Sequence, residues 1–170
     1  MSSLPEAWLR GPVDGVPSYL LPVAHALIAA REDAEAHAPS IAPDVLWARQ
    51  NGAASAGFHL LHMAGALDRL FTYARGEMLS DEQKVAARAE AQDQPSMDGR
   101  ALAALVGAQV DRALAQIRAT DPATLLDERK IGRAGLPSTV LGCLFHGAEH
   151  TTRHAGQFIS TARILSPRTF

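Results

Sequence analysis

The sequence predicts an all-α protein built on four main helices. Three observations carry this. Apolar residues recur at i, i+3, i+4 and i+7 in four separate stretches, the spacing of one helix face. Aromatic residues are only 5% of the chain and alanine is abundant, which favours close-packed helices over a β-sandwich. Proline and glycine cluster between the stretches and mark the connections. The 170 residues suit one domain, 1–170, with a sizeable core, and 47% apolar with 20% charged residues is ordinary globular composition.

Residues 1–16 carry Pro5, Gly11, Pro12 and Gly15 and read as an irregular lead-in. The first helix is expected from near Pro17, a good first-turn residue, to about 36–38, before Pro39. Leu20, Leu21, Ala24, Leu27 and Ile28 form its buried stripe, and His25 beside it reads as a packed or half-exposed histidine rather than a ligand. Residues 39–53 are a linker in which Leu46 and Trp47 cover a bundle end. The second helix runs from Ala54 or Ser55 to Arg75, with Gly76 just past its end. Its core stripe is Leu60, Met63, Leu67, Leu70, Phe71 and Ala74. His62 lies about 100° from the stripe's centre, on a side shared with Ser55, Ala66, Arg69 and Tyr73. His59 falls between the two sides.

Ser80-Asp81-Glu82-Gln83 matches a capping box, so a short charged helix follows to about Ala91, solvent-facing and peripheral. The third main helix spans about Asp98 to Ala119, with Leu102, Leu105, Val106, Gln109, Val110, Ala113 and Ile117 inward. Asp121-Pro122 opens a turn. Residues 124–137, with Gly132 and Gly135, read as an ordered loop containing a short strand pair. Ser138 is expected to cap the last helix, which Pro167 stops after Leu165.

Three of the seven histidines sit on that last helix: His146, His150 and His154, spaced i, i+4 and i+8. Each step drifts only about 40° around the helix, so they form one stripe, with Cys143 and Gln157 on it. Val140, Leu141, Leu144, Ala148, Ala155, Phe158, Ile159 and Ala162 group on a neighbouring oily face. A surface helix needs only the oily face. Imidazoles one turn apart project together and can share a transition metal, although the spacing alone also suits a polar stripe.

Composition narrows the function classes. A formal net charge of -2, with no basic run interleaved with aromatics, gives no nucleic-acid footprint. One cysteine excludes an internal disulfide framework and fits the reducing cytoplasm. No apolar run reaches signal-peptide or membrane-spanning length, so no membrane partner is expected.

With both histidine helices placed, Ser55-Ala56-Gly57-Phe58-His59-Leu60-Leu61-His62-Met63-Ala64, Asp68-Arg69-Leu70 and Gly76-Glu77-Met78-Leu79-Ser80 stand in the first half. His146-Gly147-Ala148-Glu149-His150-Thr151-Thr152-Arg153-His154-Ala155-Gly156-Gln157 stands in the second. This two-part pattern resembles the DinB family of helical-bundle metal proteins, from the first helix to Leu165. The resemblance implies an antiparallel four-helix bundle with a long crossover, often a homodimer. It implies a divalent metal held by three histidines, at positions matching His62, His150 and His154, with zinc, nickel and iron all suitable. It also implies transferase or isomerase chemistry with a low-molecular-weight thiol as cosubstrate.

A site of three imidazoles leaves at least one coordination position open for water or a thiolate, as catalytic zinc sites do. His59 and His146, each within a turn of a proposed ligand, are the candidate catalytic histidines: a fourth ligand, a proton shuttle or a pocket wall, against plain packing. Glu149 is off the His150 direction and reads as a surface or interhelical residue. Cys143 reads as a small buried hydrophobe. Gln157 and Tyr73 are candidate donors into the pocket, and Arg129, Lys130 and Arg133 read as a solvated charge run. The expected function is a metal-dependent enzyme, a thiol-dependent transferase acting on a small molecule. A non-catalytic metal-binding or interaction bundle and a metal-assisted hydrolase are the alternatives.

Overall fold

In the computed structural model, which describes residues 4–166, the chain is mostly helical. Four long helices dominate: α1 (Leu21–His37), α3 (Ala56–Ala74), α5 (Gly99–Ala119) and α6 (Val140–Leu165). Two shorter ones, α2 (Pro43–Leu46) and α4 (Asp81–Ala89), lie in the connections. Strands β1 (Glu128–Ile131) and β2 (Leu136–Thr139) pair antiparallel, with Glu128 opposite Thr139. Residues 1–3 of the expected lead-in and the expected stop at Pro167 lie outside the described residues.

Each helix forms where apolar spacing and caps agree. Ser55 accepts the Phe58 N–H at 3.1 Å and Asp98 accepts the Ala101 N–H at 2.8 Å, which fixes the starts of α3 and α5. Ser80 and Gln83 make the reciprocal capping box ahead of α4. Gly76 closes the end of α3 at φ 80, a conformation that suits glycine. The sequence places the α1 start near Pro17; there a 3-10 turn, Ser18–Leu20, comes first. One expected cap is corrected. Thr139, not Ser138, caps α6, accepting the Gly142 N–H at 3.0 Å. Thr139 is the last residue of β2, with extended backbone immediately before the first helical residue Val140, so its hydroxyl, and not that of Ser138 one residue earlier, reaches the third N–H of the helix.

Most residues of the expected stripes are buried; Leu21 and Leu70 are half-buried and stand outside the core, and Ile28, Leu105, Leu141 and Ile159 are half-buried at its edge. Leu27 of α1, Leu60 and Phe71 of α3, Leu102 and Ile117 of α5, and Leu144 and Phe158 of α6 are fully buried in one continuous cluster. Burying each such side chain contributes about 1.5–3 kcal/mol. Leu46 and Trp47 cover an end of the cluster as expected, and the Trp47 indole N–H donates to the Met97 carbonyl at 3.1 Å.

Helix α1 packs on α5 and α6, and α3 packs on the same two. α1 and α5 run in opposite directions: Arg31 bonds Asp111 at 2.9 Å near their middles, while Gly99 at the start of α5 abuts Ala38 just past α1. α3 and α5 run the same way. Gln116 donates to the Phe71 carbonyl at 2.9 Å near their ends, and Leu61 and Leu105 line one cleft further back. Two neighbouring helices with the same direction require the chain to travel back between them. Residues 75–98, carrying α4, make that return. α4 contributes no buried residue, which agrees with its expected peripheral place.

Candidate metal centre

α3 and α6 are antiparallel neighbours. Gly147 lies against Phe71 and Leu67, His150 against His62, and His154 against His59. The oily face of each helix turns into the core, and the adjacent histidine sides therefore meet along the α3–α6 seam. The close approach depends on Gly147: a Cβ there would lie 2.8 Å from the Phe71 ring.

His62, His150 and His154 are half-buried, and each offers one nitrogen such that all three nitrogens lie within 4.8 Å of one another. Their ring centroids are 4.6 to 5.1 Å apart. Nε2 of His62 and Nε2 of His150 approach to 2.9 Å. Two imidazoles on a tetrahedral zinc place their nitrogens roughly 3.3 Å apart, so small ring rotations suffice to gather the set. Three such residues can hold a metal ion.

Two of the three rings are proton-poor. Burial, then the neighbouring His62, pushes His150 down to about 4. Burial, then His62 and His150, pushes His154 down to about 3. Their lone pairs are therefore available at neutral pH, as metal ligation requires. Neither nitrogen of His150 is tied to a carbonyl or carboxylate among the described residues. Nε2 meets His62, and the buried Nδ1 has no partner. These observations fit a site for a soft-to-borderline divalent cation.

His59 is buried, and its Nδ1 lies 2.9 Å from Nδ1 of His154. Burial and the adjacent His62 lower it to about 4. It touches the trio through His154. His146 stands apart: its side chain is 51% exposed, its ring is 5.4 Å from that of His150, and Nδ1 lies 3.3 Å from Glu149. Glu149 is on the α6 surface, held by Arg153 at 2.5 to 3.0 Å, and that hydrogen bonding is the main reason its carboxyl sits below the ordinary range. Cys143 is buried, and burial raises its thiol. Gln157 is exposed and Tyr73 is buried. Arg129 is drawn out of the solvated run, donating to the Ala74 carbonyl at 2.8 Å. His25 packs under the lead-in, 2.9 Å from the Gly11 carbonyl.

Three residues without an assigned role in the sequence reading complete the site. Phe58 stacks on His62 with centroids 5.3 Å apart and planes 10° off parallel; their i, i+4 spacing is the signal for it. Glu90, which caps the end of α4, is 7% exposed and accepts from Nδ1 of His62 at 2.8 Å. Arg69 donates to both oxygens of that carboxylate. Burial pushes the Glu90 carboxyl up, but the bonds from His62 and Arg69 outweigh this and hold it below its usual value. No local pattern around Glu90 announces this contact, because it spans 28 residues between two helices.

The family model of the DinB superfamily matches residues 26–158, well over half of the chain and inclusive of every residue of this centre. No curated protein matches the sequence. The chain belongs to the DinB superfamily.

Proposed function

We propose that this chain is a metal-dependent enzyme of the DinB type, in which His62, His150 and His154 hold one divalent transition metal. Its reaction on this reading is a thiol-dependent group transfer to a small molecule. The observation that carries the reading is the convergence of three nitrogens, from two helices, within 4.8 Å. His62, His150 and His154 would hold zinc, nickel or iron, which would supply Lewis acidity toward a thiol or water.

The chain's own residues then divide the remaining tasks. His59 holds His154 in orientation through the Nδ1 contact at 2.9 Å. His146, exposed one turn before His150, is placed to exchange a proton with a substrate at the rim. The four long helices and the 75–98 return support an antiparallel four-helix bundle with one long crossover, and the continuous core supports a single domain over 1–170. Among the described residues no helix is long and apolar enough to cross a membrane, and the reading places the protein in the cytoplasm. A homodimer is part of the proposal. Exposed Trp8 and Phe145 flank two grooves that share Pro22 and Ala26, an apolar surface of the kind partners cover.

The experiment is turnover of a panel of small electrophiles by metal-loaded protein, with and without low-molecular-weight thiols. Thiol-dependent turnover that is lost in His150→Ala supports the reading. Turnover with metal and water alone replaces it with a hydrolase. Metal binding that stabilises the fold, with no turnover of any substrate, replaces it with a non-catalytic metal bundle.

A further inference from the structure

We propose that Glu90 is the positioning residue of the metal centre: in a slot that glycine at position 65 keeps open, its carboxylate takes the Nδ1 proton of His62 in a hydrogen bond and leaves Nε2 bare and aimed at His150. The inference deepens the metal reading above and rests on it.

The path of the chain makes the contact unexpected. α4 has no buried residue of its own, and apolar packing does not explain why the residue that caps it sits 7% exposed. A carboxylate is a costly group to bury unless its oxygens are satisfied. Here each one is. Oε2 accepts from His62 Nδ1 at 2.8 Å and from Arg69 Nη2 at 3.1 Å, and Oε1 accepts from Arg69 Nη1. Beyond it, Arg49 donates to the Ala91 carbonyl at 3.3 Å and to Asp93 at 2.8 Å, pinning the chain that follows.

The slot is specific. A Cβ on residue 65 would collide with Oε1 of Glu90 and stand 2.8 Å from the Arg69 guanidinium. Position 65 is inside α3, where glycine costs roughly 1 kcal/mol against alanine. The glycine weakens the helix and admits the carboxylate.

The consequence for His62 is a matter of proton count. A carboxylate flanked by a guanidinium only accepts, so the proton of neutral His62 must be on Nδ1. Nε2, 2.9 Å from the Nε2 of His150, is then a lone pair facing the trio. Phe58, stacked on the ring, limits its rotation. A ligand histidine held this way is preorganised and more basic, and removal of such a partner typically weakens metal affinity about 10–100-fold.

The test uses the full chain as wild type, Glu90→Ala, Glu90→Gln and Gly65→Ala. Zinc affinity is read against a competing chelator, and the His62 tautomer of the zinc-free protein by nitrogen-resolved imidazole NMR. The expected wild type carries its proton on Nδ1. Glu90→Ala loses that preference and binds zinc about 10–100-fold more weakly. Glu90→Gln, which keeps an acceptor oxygen, recovers most of both. Gly65→Ala, with Glu90 intact but displaced, reproduces the alanine defect. If Glu90→Ala only lowers the melting temperature, with tautomer and affinity unchanged, Glu90 is an anchor for α4 and the proposal is overturned. Should Glu90→Ala not fold, Gly65→Ala decides on the same two readouts, and wild-type values there overturn it. Wild-type protein that takes up no zinc defeats the metal reading instead, and the tautomer in the zinc-free chain still decides the placement of the His62 proton.

Discussion

Replacing Gly147 by alanine tests whether the α3–α6 seam is as tight as the histidine geometry requires. Two terms of opposite sign meet at that position. Alanine in a helix interior is more favourable than glycine by about 1 kcal/mol. The added Cβ would stand 2.8 Å from Phe71 Cε2 and 3.3 Å from Leu67 Cδ1, and both side chains are fully buried with nowhere cheap to go. Overpacking of this kind costs about 1–3 kcal/mol. The sum is a destabilisation of roughly 0–2 kcal/mol. Gly156, nine residues on in the same helix, supplies the control. It is exposed and a Cβ there meets nothing within 4 Å. Gly156→Ala should therefore stabilise by about 1 kcal/mol. The two variants are compared by urea unfolding, where their difference of about 1–3 kcal/mol isolates the packing term. Gly147→Ala should also weaken zinc binding, because α6 must move away from His62. If Gly147→Ala were as stabilising as Gly156→Ala, the seam would be looser than described and the argument refuted.

The metal-free protein should lose stability as pH falls from about 6.5 toward 4. His59, His150 and His154 have folded values of about 4, 4 and 3, below the ordinary histidine value of about 6.5, so the unfolded chain binds more protons in that window. Above it these groups add no slope; a flat urea midpoint between pH 7 and pH 4.5 would contradict their burial as neutral rings. Thr139→Ala should cost about 1 kcal/mol by loss of the α6 cap, while Ser138→Ala should stay within about 0.5 kcal/mol; denaturant titration of both, with the order reversed, would restore Ser138 as the cap. Phe158→Ala should cost about 3–5 kcal/mol, since the ring is fully buried, yet leave zinc stoichiometry unchanged in protein that is still folded by circular dichroism.

Much of the centre is legible in the sequence because helical spacing is a local code. His150 and His154 share a face by their i, i+4 spacing, and the angle between His62 and the Leu60–Met63–Leu67 stripe already places it beside the oily side of α3. The α6 cap is less legible: Ser138 and Thr139 both offer a hydroxyl, and only the point where β2 gives way to the helix decides which one accepts. Glu90 is the clearest case of what spacing does not convey. It belongs to a charged, surface-seeking helix, and only the 75–98 return brings it over α3. Gly65 looks like an ordinary weak point of a helix until the carboxylate above it is seen. His146 shows the reverse: it shares the stripe with His150 and His154, but the drift of about 40° per step turns it outward to 51% exposure while its neighbour Gly147 is in the seam.

Metal content of the untagged protein, measured by elemental analysis beside His62→Ala and His154→Ala, tests the central claim most directly. The account predicts about one divalent transition metal per chain, lost in both variants while the helical signal is retained. A wild-type protein that stays metal-free after reconstitution, or variants that keep the metal, would contradict it.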